Sequence, residues 1–261
     1  SGEYTFEREI SSPNSSWHMT APQNIPTNSI FIEKLFASLK IIKTKKFLND
    51  DKANNANFSL VNPTAVITLA NSSSNNKIIL SIGIMNTIDN STYLKISNKK
   101  GIYHAEAPSS SLENVTLTDL VESSIFNFDF KALAGIKISK SNLSSSLLEV
   151  KKKEDKWTTP KGKILNPERL EDILRELLTL KSNYILEKNS DTQKKQIQNL
   201  LTPPEFQLQI ELTSGKSFSY KISRITENLA DLVLNNEPHF LVIESNNPLI
   251  YVVKSKSINV F

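Results

Sequence analysis

The side chains able to do chemistry are few and scattered. Three histidines, His18, His104 and His239, lie in unrelated contexts. None has an i, i+4 partner or a carboxylate at ligand spacing, so no metal centre is expected. The chain has no cysteine, which removes thiol nucleophiles, thiolate ligands and disulfides together. Asp50-Asp51 and Glu154-Asp155 are paired carboxylates, but both pairs sit in polar loops where water keeps them ordinary. Ser109-Ser110-Ser111 and Ser144-Ser145-Ser146 lack a histidine partner at a nucleophile elbow and read as linkers. With six glycines in the whole chain, no phosphate-cradling loop can be written. The expectation is a non-enzymatic protein with no catalytic residue, cofactor or metal.

The two tryptophans, Trp17 and Trp157, could stack on a sugar ring, yet their placement points first to packing. They stand 140 positions apart, each after a short alternating run and before a proline-bearing loop. Leu60 and Pro63 recur as Leu200 and Pro203 at the same offset, and Ile78, Leu80 and Ile82 recur as Phe218, Tyr220 and Ile222. Towards the end the offset grows to 148, where Ile102-Tyr103 matches Ile250-Tyr251. A fixed offset carried through several elements marks an internal duplication. Trp17, Trp157, Leu60, Pro63, Leu200 and Pro203 are therefore read as structural core anchors of two repeats.

Around those anchors the patterns alternate between helix and strand. Asn166, Pro167 and Glu168 start a helix with a cap, a first-turn proline and an acid. Leu170, Ile173, Leu174, Leu177 and Leu178 follow as one apolar stripe. The matching helix of the first repeat runs from about Asn28, with Phe31, Leu35 and Leu39 four apart, and Asp191–Leu201 is a shorter one. Hairpins follow in both repeats: Ala65, Ile67 and Leu69 with Ile78, Leu80 and Ile82, and Phe206, Leu208 and Ile210 with Phe218, Tyr220 and Ile222. Two more strands close each repeat, Thr92–Ser97 with Ile102–Ala105 and Phe240–Glu244 with Leu249–Val253. The expected fold class is α+β, a tandem duplication of an antiparallel sheet packed by one main helix. The expected domains are residues 1–112 and 136–261, joined by a connecting segment at 113–135.

Composition narrows the partners. Hydrophobic residues make up 38% and charged residues 22%, an ordinary globular balance. The net charge of +4 comes from 31 basic against 27 acidic residues, with lysine runs broken by acids. That is a solvated mixed surface, without the basic stripe and interleaved aromatics that nucleic acid would require. No apolar run of about 18 residues is present, so no segment spans a membrane as a helix.

The string from Phe58 to Pro63 (FSLVNP), the strand from Ile79 to Gly83, then Tyr93 and Ile102-Tyr103, resembles a bacterial family known only as a domain of unknown function. The strand–Trp–helix segment before it and Leu120–Phe128 after it fit the same pattern. Members of that family are encoded beside, or fused to, the auxiliary subunit of gliding-motility-type ABC transporters. The resemblance implies a permease or auxiliary subunit as partner. It also implies a location on the periplasmic side, tied to the inner membrane by an anchor upstream. It brings no catalytic residue. The expected function is an extracytoplasmic accessory module that binds a protein or a transported substrate. The alternative is a stand-alone envelope module holding a glycan or lipid between the repeats.

One expectation concerns the front of the chain. The second repeat opens with a strand at Ile136 that has no counterpart within the first, and Ser1-Gly2 reads as a trimmed boundary. The Tyr4–Glu9 strand is then expected on a bare sheet edge, or covered by another element.

Overall fold

Asn28 caps the first helix, α1 (Ser29–Lys40): its side chain accepts from the Phe31 backbone N–H at 3.2 Å. The inward stripe is Ile32, Leu35, Phe36 and Leu39, of which Ile32 alone is fully buried. The structure, a computed structural model, describes residues 3–8, 16–22, 24–71, 74–106, 115–186, 191–226, 229, 237–247 and 249–255. The chain divides into two units, Ser1–Leu120 and Val121–Phe261.

In the first unit, β1 (Thr5–Glu7), β2 (His18–Ala21) and β3 (Ile25–Pro26) form a small antiparallel sheet in that order. After α1 come β4 (Lys43–Leu48), the short helix α2 (Lys52–Asn57), and the strands β5 (Ala65–Asn71), β6 (Ser74–Asn86), β7 (Ser91–Ile96) and β8 (Ile102–Glu106). These five strands pair in the order β4-β8-β7-β6-β5, and α3 (Leu117–Leu120) ends the unit. Leu80, Ile82, Leu94 and Ala105 form the core of this sheet, with Leu39 and Ile67 packed against them.

The second unit adds three strands in front: β9 (Leu133–Lys140), β10 (Ser146–Lys153) and β11 (Lys156–Thr158). The helix α4 (Pro167–Leu178) begins at the proline and buries Leu170, Leu174 and Leu177. Then come β12 (Tyr184–Leu186), α5 (Asp191–Leu200), β13 (Phe206–Leu212), β14 (Ser217–Arg224), β15 (His239–Glu244) and β16 (Ile250–Lys254). All eight strands form one sheet, β11-β10-β9-β13-β14-β15-β16-β12. Its last five positions repeat the first unit's order, with β12 beside β16 as β4 is beside β8. The register repeats as well: Ile67 faces Leu80 and Leu69 faces Ile78, as Leu208 faces Tyr220 and Ile210 faces Phe218.

The α+β expectation, with one main helix laid on each sheet, is overturned. The protein is mostly β, 45% strand and 21% helix, with three antiparallel sheets and five helices among the described residues. The missed strands hid for physical reasons. β4 reads Lys-Thr-Lys-Lys-Phe-Leu and is exposed along most of its length, so it shows no apolar alternation. β3, β11 and β12 are two or three residues long, too short to display a period.

Residues 121–135, expected as connector, lie within the second unit. Ile125, Phe126 and Leu133 are buried there, and the Phe126 ring meets Tyr220 edge-on at 4.8 Å. Ser109–Ser111, residues 113–114 and Glu9 lie outside the described residues.

Candidate binding surface

The densest polar cluster lies in the first unit, where the β7–β8 hairpin meets the turn before it. Ser91 Oγ is 2.5 Å from both Asp89 Oδ1 and His104 Nε2, and Lys45 Nζ of β4 is 3.3 Å from Asp89 Oδ2. Hydrogen bonding from the Ser91 hydroxyl, and then from Lys45, holds the Asp89 carboxyl below the usual carboxylate range. The residue types are those of acyl-transfer chemistry, but the geometry is not. In a nucleophile relay the acid orients one ring nitrogen while the other faces the serine. Here Asp89 Oδ2 approaches the same Nε2 that faces Ser91, at 3.7 Å, and Ser91 is fully buried. Phe58, Tyr93 and His104 stack in sequence at 3.8 and 4.9 Å, which clamps the imidazole plane. The cluster pins a hairpin. Reading His104 as a histidine in an unrelated context missed it; hairpin register, with Tyr93 opposite His104, was the signal that could have found it.

The other chemistry-bearing residues also have structural posts. Asp51 caps α2 by accepting from the Asn54 N–H at 2.7 Å. Asp50 binds Lys95 at 2.8 Å, and that contact holds its carboxyl below the usual range. Glu154 and Asp155 form the β10–β11 turn with positive φ of 49° and 59°. His18 is exposed on β2. His239 is buried, with Nδ1 2.7 Å from the Glu237 carbonyl oxygen.

The six repeat anchors are not placed alike. Trp157 lies in β11 opposite Lys152 and is 4% exposed. Trp17 stands just ahead of β2 and is half-buried. Its ring stacks on Phe36 at 4.9 Å, the Arg8 guanidinium lies 5.0 Å from the ring centre, and Nε1 donates to Glu33 Oε1 at 2.8 Å. Leu60 is buried and Pro63 half-buried, whereas Leu200 is half-buried and Pro203 exposed. The buried pair in the second unit is Leu201 and Pro204, one residue on, which matches the start of β13 relative to β5.

Most of the exposed apolar side chains among the described residues lie in the first unit. Of the eleven exposed large apolar side chains among the described residues, three, Leu143, Leu147 and Ile164, belong to the second unit. The other eight, Ile30 at 70% and Val66 at 54% among them, are on the first. Ile30 helps line a shallow cleft of about 540 Å³ on the outer side of α1, with Ser29, Glu33, Lys34 and Ala37. No helix among the described residues is long and apolar enough to cross a membrane.

Residues 17–199 match the family described as "Domain of unknown function (DUF4340)", and the chain belongs to that family. No curated protein and no solved structure matches it.

Proposed function

We propose that this family member is a non-enzymatic, extracytoplasmic accessory module of a gliding-type ABC transport system, working by binding a protein partner. The sequence resemblance supports the transport setting, with a permease or auxiliary subunit as partner and a membrane anchor of the kind similar proteins carry. The observation that carries the binding role is the uneven exposure of apolar side chains, eight of eleven on one unit among the described residues. Single apolar residues are ordinary on any surface, so the support lies in their greater number on one unit.

The alternative, a glycan or lipid module, draws on the tryptophans as stacking platforms. Trp157 is buried, and the Trp17 ring is already engaged by Phe36 and Arg8, so both offer that reading little support. Crosslinking a tagged chain in its native membranes, followed by affinity recovery and mass spectrometry, tests the proposal. A transporter ATPase, permease or auxiliary subunit is expected among the captured proteins. Repeated recovery of the chain without any of these defeats the transport assignment.

A further inference from the structure

The helices α1 and α4 are counterparts in the two repeats, yet their outer faces carry different chemistry. Their inward stripes match residue for residue: Ile32 with Leu170, Leu35 with Ile173, Phe36 with Leu174 and Leu39 with Leu177. The outward line of α4 is then Glu168, Asp172, Arg175 and Glu176, all exposed, as a solvated helix face requires. The outward line of α1 is Ile30, Lys34 and Ala37, and Ile41 at the C-cap continues it one turn on. Ile30 is 70% exposed and Ile41 72%. The first helix therefore has a second apolar line on the side away from its core.

The charge around that line is positive. Lys34 lies within it, Lys40 flanks it and Lys43 follows at the start of β4. All three are exposed and have no ion pair among the described residues, whereas Lys45 is held by Asp89 and Glu106. The single acid of α1, Glu33, is already engaged by Arg8 at 2.7 Å and by Trp17 Nε1 at 2.8 Å.

We propose that the outer face of α1 is a peripheral contact with an anionic lipid bilayer. Ile30, Ala37 and Ile41 enter the headgroup boundary, while Lys34, Lys40 and Lys43 meet lipid phosphate oxygens. Apolar insertion combined with attraction of lysines to anionic headgroups is how an interfacial helix binds. Lysine suits the rim, because its aliphatic stem lies along apolar surface while the ammonium reaches the phosphates. A bilayer fits this face better than an acidic protein does. Protein interfaces draw most of their affinity from aromatic or arginine anchors seated in pockets, and this line has neither. The proposal goes beyond the protein-binding reading and stands without it, since the other six exposed apolar side chains of the first unit are not on this helix.

The chain has no cysteine, so a single one can be introduced and labelled cleanly. Ala37→Cys and, as the matched control on α4, Arg175→Cys are each coupled to an environment-sensitive fluorophore. Each labelled chain is mixed with vesicles of phosphatidylglycerol, vesicles of phosphatidylcholine, or soluble polyglutamate. Emission from the label on α1 is expected to shift to the blue with phosphatidylglycerol alone, and the shift falls as salt is raised. The label on α4 does not shift. In vesicle sedimentation of the unlabelled chain, Lys34→Gln combined with Lys40→Gln weakens binding at least about tenfold, at about fivefold for each lysine. Melting curves of that variant match the parent, because both side chains are exposed. Absence of a shift with phosphatidylglycerol at low salt overturns the proposal, as does an equal shift with phosphatidylcholine or from the α4 label. A shift with polyglutamate overturns it in favour of an acidic protein partner. Blue emission from the α1 label before any vesicle is added also overturns it, because the face is then covered by the chain itself.

Discussion

Ile67 and Leu208 occupy the same place in two sheets of the same strand order, yet Leu208 is fully buried and Ile67 is not. The difference is β9, which lies over Leu208 and has no counterpart beside Ile67 among the described residues. Truncation should register it. Leu208→Ala is expected to cost about 3 kcal/mol, from lost transfer energy plus a cavity that the packed sheet cannot collapse. Ile67→Ala should cost about 1 kcal/mol, since roughly half of the transfer term is already forfeited to water. Urea titration of both variants checks this, and equal losses mean that the β5 edge is covered in solution.

Gly83 has a different constraint. A Cβ there would stand 2.0 Å from the Phe58 carbonyl oxygen, which accepts from the Ile84 N–H at 2.9 Å. Gly83→Ala must push one backbone segment off another, and a loss of about 2–3 kcal/mol is expected. In the second unit Ser223 stands at this point, and its hydroxyl accepts from the Glu205 N–H at 3.0 Å. Ser223→Ala leaves that N–H without its partner and should cost about 1–2 kcal/mol. A Gly83→Ala variant as stable as the parent would show that the Phe58 segment yields freely.

Much of this architecture was legible because it is written in local patterns. Asn28 and the Asn166–Pro167 pair start helices where capping chemistry says they should. The hairpins of β5–β6 and β13–β14 follow their alternation residue by residue. What stayed hidden had no period to read: the lysine-rich β4, the short strands β3 and β12, and the buried His239 at the start of β15. The Ser91–Asp89–His104 cluster was invisible for another reason. Its members meet through hairpin pairing rather than through sequence spacing.

The tryptophans should part company on mutation. Trp157→Ala is expected to cost about 3–5 kcal/mol, as for other buried aromatic truncations. Trp17→Ala loses a half-exposed ring, its stack on Phe36 and the bond to Glu33, for about 1–2 kcal/mol. The Arg8–Glu33 pair is solvent-exposed at 2.7 Å, so Arg8→Ala should cost less than about 1 kcal/mol. Matched chemical denaturation of the three variants gives the order. A loss at Trp17 as large as that at Trp157 contradicts the half-exposed setting of the first ring.

The alkaline limb of stability has a source in the second unit. Burial pushes the Tyr251 hydroxyl up to about 12, and burial followed by the nearby Glu244 carboxylate raises Tyr220 well above the ordinary tyrosine range. An unfolded tyrosine releases its proton near pH 10, whereas folded Tyr251 keeps it until about 12. Between those values the unfolded chain binds fewer protons than the folded one, so stability falls as pH rises through the window and is untouched below it. For Tyr251 the full loss is on the order of 3 kcal/mol, because each pH step between about 10 and about 12 removes about 1.36 kcal/mol. Tyr251→Phe removes that ionisation from both states. At neutral pH it gives up only the Asn247 contact of 3.3 Å, worth about 0.5–1 kcal/mol. Urea midpoints measured from neutral pH to pH 12 should therefore decline less steeply above pH 10 in the variant. Lysine deprotonation contributes equally to both chains and cancels in the difference. Identical alkaline slopes for parent and variant would place the Tyr251 hydroxyl in water rather than in the core.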